Sequence, residues 1–171
     1  MSKIKIPYIN LSAQWEEEKN YLLPIISDVF SSGQFIGGDV IEEFESNISS
    51  FCNVKYSVAL NSGTDALVCG LIALGVKRGD EVITPPNSFV ASTSSIVHIG
   101  AKPIFVDVLD DQNIDPVKKE KAITEKTKAI MPVHLTGRIA NMTEIIKISR
   151  KYNIPVIEDA AQSIGSKYEG K

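Results

Sequence analysis

The stretch EVITPPNSFVASTSSIVHIGAKPIFV, residues 81–106, decides the fold of this 171-residue chain. It begins with a short run at Glu81–Thr84, which the pair Pro85–Pro86 ends, and it closes with a second apolar run at Lys102–Val106. The intervening residues Phe89–Ile99 are predicted to form a helix. Two short apolar strands joined through a helix indicate parallel pairing, because parallel strands need a long crossover connection.

The same alternation continues on both sides of this stretch. Residues 12–31 are expected to form a helix that Ser12 caps and Pro24 kinks or splits, and Asp39 is expected to cap a helix over residues 40–52. Short apolar strands separated by helices predict an α/β fold with three layers, in which helices cover both faces of a mostly parallel sheet. The further predicted strands are Lys55–Asn61, Thr127–Leu135 and Pro155–Glu158, and the further predicted helices are Gly63–Leu74, Pro116–Ile123 and Asn141–Tyr152.

Composition narrows the class of protein. Hydrophobic residues make up 43% of the chain and charged residues 23%, which is typical of one globular domain. The net charge is -3, so no basic surplus supports nucleic-acid binding. The N-terminus lacks the apolar core of a secretory signal, and no apolar run is long enough to span a membrane, so a cytoplasmic protein is expected. Cys52 and Cys69 lie in apolar contexts and are predicted to be buried thiols, and the two histidines do not cluster as metal ligands.

Ligands of parallel sheets bind at the carboxyl ends of the strands. This rule selects five loops, which begin at Asn61, Thr84, Asp107, His134 and Asp159. In the first of them, Ser62, Gly63 and Thr64 precede an apolar helix. The free N–H groups and positive dipole end of that helix would suit a phosphate, although an ordinary helix cap explains the same residues.

The last loop follows two adjacent acids, Glu158 and Asp159, whose side chains should point to opposite sides of the strand. Asp159 could pair with a cationic ring nitrogen, bind a metal or cap a following helix. Gln162 could complete a capping box with Asp159 or point at the same ligand. Phe89 could stack on a flat ligand or belong to the core, and His134 is expected to be structural.

Taken together, these segments resemble the DegT/DnrJ/EryC1/StrS family, whose members are sugar aminotransferases that depend on pyridoxal 5'-phosphate (PLP). The resemblance implies the large-domain fold of aspartate aminotransferase, the type I PLP fold. It covers essentially the whole chain, and NSGTDAL and EDAAQSIG are its most specific parts. The matching segments, in order, are FIGG (35–38), NSGTDAL (61–67), GDEVITPPNSFVAS (79–92), KPIFVDV (102–108), VHLTG (133–137) and VIEDAAQSIG (156–165).

The resemblance implies a role for each candidate residue. Gly63 and Thr64 would hold the cofactor phosphate, with Ser62 a less certain contact. Phe89 would stack on the pyridine ring, and Asp159 would pair with the protonated ring nitrogen. Gln162 would hydrogen-bond near the phenolic oxygen of the ring.

The implied reaction passes an amino group, typically from glutamate, to the keto group of a nucleotide-linked sugar. Members of the family are typically homodimers, and the glycine-rich loop at Phe35–Gly38 is expected to serve the dimer interface.

The family places its Schiff-base lysine well after the EDAAQSIG segment, beyond Lys171 in this numbering. Residues 1–171 therefore correspond to the N-terminal part of the major domain, a truncated form without the remaining strands and the small domain. The isolated chain is expected to be inactive. Three alternatives stay open: a sugar dehydratase of the same family, a non-catalytic remnant or subunit, and an unrelated α/β protein that binds a phosphate ligand.

Overall fold

A computed structural model describes residues 6–170, and these form two compact units that divide between Ser57 and Val58. The first unit contains helix α1 (Leu11–Ser32) and helix α2 (Asp39–Phe51). Pro24 lies inside α1 and does not split it. No helix in the described part of the chain is both long enough and apolar enough to cross a membrane.

Both predicted helix caps of the first unit are wrong by one or two residues. Asn10, not Ser12, caps α1, and its side-chain oxygen accepts a hydrogen bond from the main-chain N–H of Ala13 at 3.2 Å. Gly38 precedes α2 with φ 100°, and Asp39 is the first residue of that helix. A backbone with positive φ favours glycine, so the FIGG segment supplies the turn and Asp39 instead places its negative charge in the first helical turn.

The second unit alternates helices and strands as predicted. Its sheet has the order β2-β1-β3, with every pair parallel, and Glu81 of β1 aligns with Lys102 of β2 and Thr127 of β3. The elements are α3 (Gly63–Ala73), β1 (Glu81–Thr84), α4 (Val90–His98), β2 (Lys102–Phe105), α5 (Pro116–Lys121), β3 (Thr127–Ile130), a 3-10 turn (Leu135–Gly137) and α6 (Met142–Tyr152).

Successive residues of β1 and β3 point to opposite faces of the sheet, and each face has its own core. Val82 and Ala129 pack with Leu71 of α3 and Ile96 of α4 on one face. On the opposite face, the core comprises Ile83, Ile130, Val106, Ile114, Ala140, Met142, Ile145 and Ile154. Because helices cover both faces, the predicted three-layer α/β arrangement is confirmed for this unit.

The predicted fifth strand at Pro155–Glu158 pairs with β3 but is not a continuous strand. The N–H of Ile130 donates to the Pro155 carbonyl, and the N–H of Ile157 donates back to the Ile130 carbonyl, both at 3.0 Å. The next rung of this parallel ladder would need an N–H at residue 132, which is proline and has none. The pairing is therefore reduced to two isolated parallel bridges, Ile130 with Val156 and Val133 with Asp159. Strand β3 ends at Ile130 rather than at the predicted Leu135.

Two further predictions are wrong. The predicted strand Lys55–Asn61 does not form, and its side chains include the exposed Tyr56 and Val58. Cys52 and Cys69 are both exposed rather than buried. The apolar neighbours of Cys69 misled the prediction because α3 buries only the stripe of Leu67 and Leu71.

Candidate active site

A cavity of about 190 Å3 opens at the carboxyl edge of the sheet, where parallel sheets bind their ligands. It lies between the start of α3, the loop after β1, residues 133–135, which follow β3, and the loop that begins at Asp159. Five of the six predicted site residues line it, although they come from three separate parts of the chain. The lining residues are Gly63, Thr64, Leu67, Ser88, Phe89, Ala91, Val133, Leu135, Asp159, Ala161 and Gln162.

The sixth predicted residue, Ser62, caps α3 and does not line the cavity. Its hydroxyl oxygen accepts the N–H of Asp65 at 3.1 Å, and its carbonyl accepts the N–H of Ala66. The first N–H groups of a helix have no partner within the helix, so those of Gly63 and Thr64 remain available beside the cavity that both residues line. A Cβ atom added to Gly63 would meet nothing within 4 Å, so space for a ligand exists here.

Asp159 is 9% exposed and brings a carboxylate into the cavity. Its Oδ2 accepts a hydrogen bond from the hydroxyl of Ser92 at 2.6 Å, and its Oδ1 accepts the N–H of Ala161 at 3.3 Å. No helix follows Asp159, because residues 160–166 form successive turns. The helix-cap interpretation of Asp159 and the capping box with Gln162 are therefore wrong, and Gln162 lines the cavity instead.

Phe89 lies at the rim of the cavity and is 74% exposed. This exposure excludes the interpretation of Phe89 as a core residue. Its backbone forms the N-cap of α4 with extended geometry, so the ring stands just before the first turn of that helix. A flat aromatic face beside a cavity of this size can stack on a ring-shaped ligand.

His134 and Glu158 form a pair outside the cavity lining. The main-chain N–H of Ala140 donates to His134 Nδ1 at 3.2 Å, which leaves the ring proton on Nε2 to donate to Glu158 at 2.8 Å. His134 is 2% exposed and so holds the loop after β3, as the sequence predicted. The two acids of VIEDAAQ therefore have different surroundings, as strand alternation predicted.

Two hydroxyl groups of the site were missed from the sequence. Ser92 donates to Asp159, and its oxygen lies 2.6 Å from that of Ser88, which lines the cavity. The segment SFVASTSS offers several equivalent serines. Ser88 lies just before the N-cap Phe89 and Ser92 lies in the first turn of α4, and only the folded backbone at this helix start brings their hydroxyls together.

The fold and the site define a class of protein: an α/β protein with a cavity at the carboxyl edge of a parallel sheet, whose lining suits a ring-shaped, phosphate-bearing ligand. The comparisons with known proteins name the family. A model of the DegT/DnrJ/EryC1/StrS aminotransferase family matches residues 16–171, so the chain belongs to that family.

Three relatives illustrate the similarity. The chain is 44% identical to a pleiotropic regulatory protein of Geobacillus stearothermophilus, over 98% of this chain and 45% of the relative. It is 45% identical to UDP-2-acetamido-2-deoxy-3-oxo-D-glucuronate aminotransferase of Pseudomonas aeruginosa, over 97% of this chain and 46% of that enzyme. The solved structure of NtdA from Bacillus subtilis matches with a TM-score of 0.92 and 40% identity, over 97% of this chain and 39% of that one. The chain thus spans less than half the length of these relatives.

The comparisons also confirm the fold and the cofactor that the resemblance implied. The neighbours in structure include sugar aminotransferases with this α/β fold. PLP is the cofactor of the family, and the NtdA structure holds its amino form, pyridoxamine 5'-phosphate (PMP). The donor set of the cavity fits such a group, because it combines available N–H groups at a helix start with a buried carboxylate and an exposed aromatic ring.

Proposed function

We propose that this chain carries the cofactor-binding part of an aminotransferase that passes an amino group, from a donor such as glutamate, to the keto group of a nucleotide-linked sugar. The observation that carries the proposal is the cavity that brings Gly63, Thr64, Phe89, Asp159 and Gln162 together at one edge of the sheet. Membership of a family of sugar aminotransferases supports the reaction class.

Gly63 and Thr64 would bind the phosphate of the cofactor. The start of α3 offers their N–H groups together with the positive end of the helix dipole, and both favour a dianion. Thr64 also carries a hydroxyl that can donate to a phosphate oxygen. Glycine at position 63 lets the phosphate approach the backbone, since no side chain occupies that space.

Asp159 would pair with the protonated ring nitrogen of the cofactor. Bound in this way, the cofactor supplies an electron-accepting ring that stabilises negative charge on the substrate carbon from which a proton is removed. The carboxylate is suited to this task because, in the described part of the chain, no basic side chain forms an ion pair with it. A buried carboxylate without a cation favours a positively charged ligand.

Phe89 and Gln162 would orient the ring. Phe89 would cover one face of the ring by stacking and exclude water from it. Gln162 lies within the same lining and can donate its amide N–H to the phenolic oxygen of the cofactor.

We propose that the lysine that binds the cofactor covalently follows Lys171, in the rest of the catalytic domain. None of the residues that line the cavity in the described part of the chain is a lysine. Lys167 is exposed and lies outside this lining, and Lys171 lies outside the described residues.

We also propose that the enzyme works as a homodimer. Phe35 and Ile36 expose large apolar side chains in the glycine-rich loop of the first unit, and Ile36 is 93% exposed. Adjacent exposed apolar side chains can form the kind of contiguous patch that marks a surface in contact with another protein. Sedimentation of the complete polypeptide that the gene encodes would show a dimer if this is correct and a monomer if it is not.

The reaction is tested with that complete polypeptide, PLP, glutamate and a panel of UDP-, GDP- and dTDP-linked keto sugars. We expect stoichiometric formation of 2-oxoglutarate and of an amino sugar that mass spectrometry identifies. Asp159→Ala should abolish turnover, whereas Lys167→Ala should retain it. Loss of water from the sugar without amino transfer would indicate the dehydratase and overturn the proposal.

The position of the lysine is tested separately. Borohydride reduction fixes the cofactor to the lysine that holds it, and peptide mapping then locates the label. We expect the label beyond Lys171. A stoichiometric label on Lys167 or Lys171 in an active enzyme would contradict the proposed position.

A further inference from the structure

We propose that Ser92 is a positioning residue that holds the Asp159 carboxylate in the orientation needed to meet the cofactor ring, and that Ser88 holds Ser92 in turn. The inference rests on the proposed function, because it assumes that Asp159 pairs with the ring nitrogen. It adds to the binding residues the buried Ser92 and the half-buried Ser88, which act through the Asp159 carboxylate and not by contact with the ring nitrogen.

The surroundings of Asp159 make Ser92 its strongest partner. The Ser92 hydroxyl lies 2.6 Å from Oδ2, whereas the N–H of Ala161 reaches Oδ1 at 3.3 Å. Both donors are neutral, and within the described residues no Lys, Arg or His forms an ion pair with the carboxylate. Ser92 therefore supplies the short hydrogen bond that holds this buried carboxylate.

The direction of the hydrogen bonds follows from the chemistry of the groups. A carboxylate only accepts hydrogen bonds, so the Ser92 hydroxyl donates its proton to Asp159. Ser88 lies 2.6 Å from the Ser92 oxygen and must then be the donor of that pair. Ser88 thus donates to Ser92, and Ser92 donates to Asp159, so a chain of hydrogen bonds runs from Ser88 in the cavity lining to the carboxylate.

Ser92 is itself firmly placed. It is fully buried in the first turn of α4, where its N–H donates to the Phe89 carbonyl and its carbonyl accepts the hydroxyl of Ser95. The terminal torsion of an aspartate is broad, so its carboxylate turns easily unless a neighbour holds it. A fixed donor on Oδ2 sets the plane of the carboxylate and thereby the direction in which it meets a cation in the cavity.

Ser95 offers a matched control, since it is equally buried on the same helix but donates to the Ser92 carbonyl rather than to Asp159. The probe is PMP, which binds without a covalent lysine, added to the complete polypeptide. We expect Ser92→Ala to weaken PMP binding about tenfold, the loss typical of one hydrogen bond to a charged group. Ser95→Ala should bind as the wild type does, and Ser92→Thr, which keeps the hydroxyl, should restore much of the affinity.

A spectroscopic readout separates positioning from a merely structural role. With PMP labelled with 15N in the ring, the nitrogen chemical shift reports its protonation. We expect the ring nitrogen of Ser92→Ala to lose its proton about one pH unit lower than in the wild type, a tenfold change. Ser88→Ala should shift in the same direction by less, and it serves as the test if Ser92→Ala does not fold.

The outcomes distinguish the two proposals. If Asp159→Ala binds PMP as tightly as the wild type, the proposed function fails. If Asp159→Ala loses binding while Ser92→Ala and Ser88→Ala match Ser95→Ala in affinity and in 15N titration, only the role of Ser92 is overturned.

Discussion

Replacing Lys119 with methionine should stabilise the protein near neutral pH and remove a defined part of its pH dependence. Lys119 of α5 is fully buried, and its Nζ makes one long contact, at 3.5 Å, with the Ile145 carbonyl of α6. Burial lowers the pKa of Lys119 from 10.5 to about 8, and the opposing charges of Glu120 and Glu144 offset only part of this effect. A buried ammonium with so little compensation destabilises the folded state.

The magnitude follows from the pKa. Since a tenfold change in proton affinity is worth about 1.4 kcal/mol, a lowering from 10.5 to about 8 amounts to about 3 kcal/mol. Below the folded pKa, Lys119 is charged in both states and the whole cost is present. As the pH rises above about 8, the folded state releases its proton before the unfolded state does, so stability increases. By about pH 9 the gain should be about 1.4 kcal/mol.

Urea unfolding near pH 7 and near pH 9 measures this gain. The wild type should become more stable relative to Lys119→Met by about 1.4 kcal/mol between the two conditions. Lys118→Met is the matched control. Lys118 is the neighbour of Lys119 in the chain, but its side chain is 53% exposed and pairs with Asp107, which raises the pKa of Lys118. This control should follow the wild type across the range, and an identical pH dependence in Lys119→Met and the wild type would refute the reasoning.

Two further pairs of variants test the site and its support. Gly63→Ala should leave unfolding unchanged or stabilise it by up to about 1 kcal/mol, because its Cβ meets open space in a helical conformation, yet it should weaken PMP binding in a fluorescence titration. Gly75 has φ 79°, which strains any residue with a side chain, so Gly75→Ala should lower the free energy of unfolding by about 1 kcal/mol without changing PMP binding. If Gly63→Ala and Gly75→Ala bind PMP with equal affinity, the assignment of Gly63 to the cavity is contradicted. His134→Ala should destabilise by about 2–3 kcal/mol in urea, because the buried N–H of Ala140 loses its acceptor, whereas Glu158→Gln keeps an acceptor on the surface and should cost well under 1 kcal/mol.

The order of helices and strands was predictable because each strand of the second unit is a short apolar run between turn residues. The carboxyl-edge rule then placed Gly63, Phe89 and Asp159 near one another without any coordinates. The early end of β3 was predictable in principle from Pro132, since proline cannot donate to a ladder. The apolar run TKAIMPVHL continues past Pro132, so hydrophobicity alone predicts a longer strand than the backbone can form.

Other features depend on contacts that periodicity does not encode. The segment Lys55–Asn61 has the composition of a strand, but a strand exists only where a neighbouring strand pairs with it. Burial of Cys69 was inferred from its neighbours along the chain, whereas burial depends on the face that α3 turns to the sheet. The sequence does not distinguish Ser92 and Lys119 from the other serines and lysines of their helices, because only packing against the rest of the fold buries them.

The two adjacent acids show how register, more than residue type, assigns the roles in this site. The N–H of Asp159 donates to the Pro132 carbonyl at 3.0 Å, and its carbonyl accepts the N–H of His134 at 3.1 Å. Both bonds follow the rung that Pro132 cannot make, and they fix the backbone of Asp159 beside residues 132–134, which continue from β3. A slip by one residue would turn Glu158 toward the cavity and Asp159 toward His134, because successive side chains of an extended segment point to opposite faces. The longer glutamate would then meet Ser92, and the carboxylate would no longer lie at the distance that the Ser92 hydroxyl sets for Asp159.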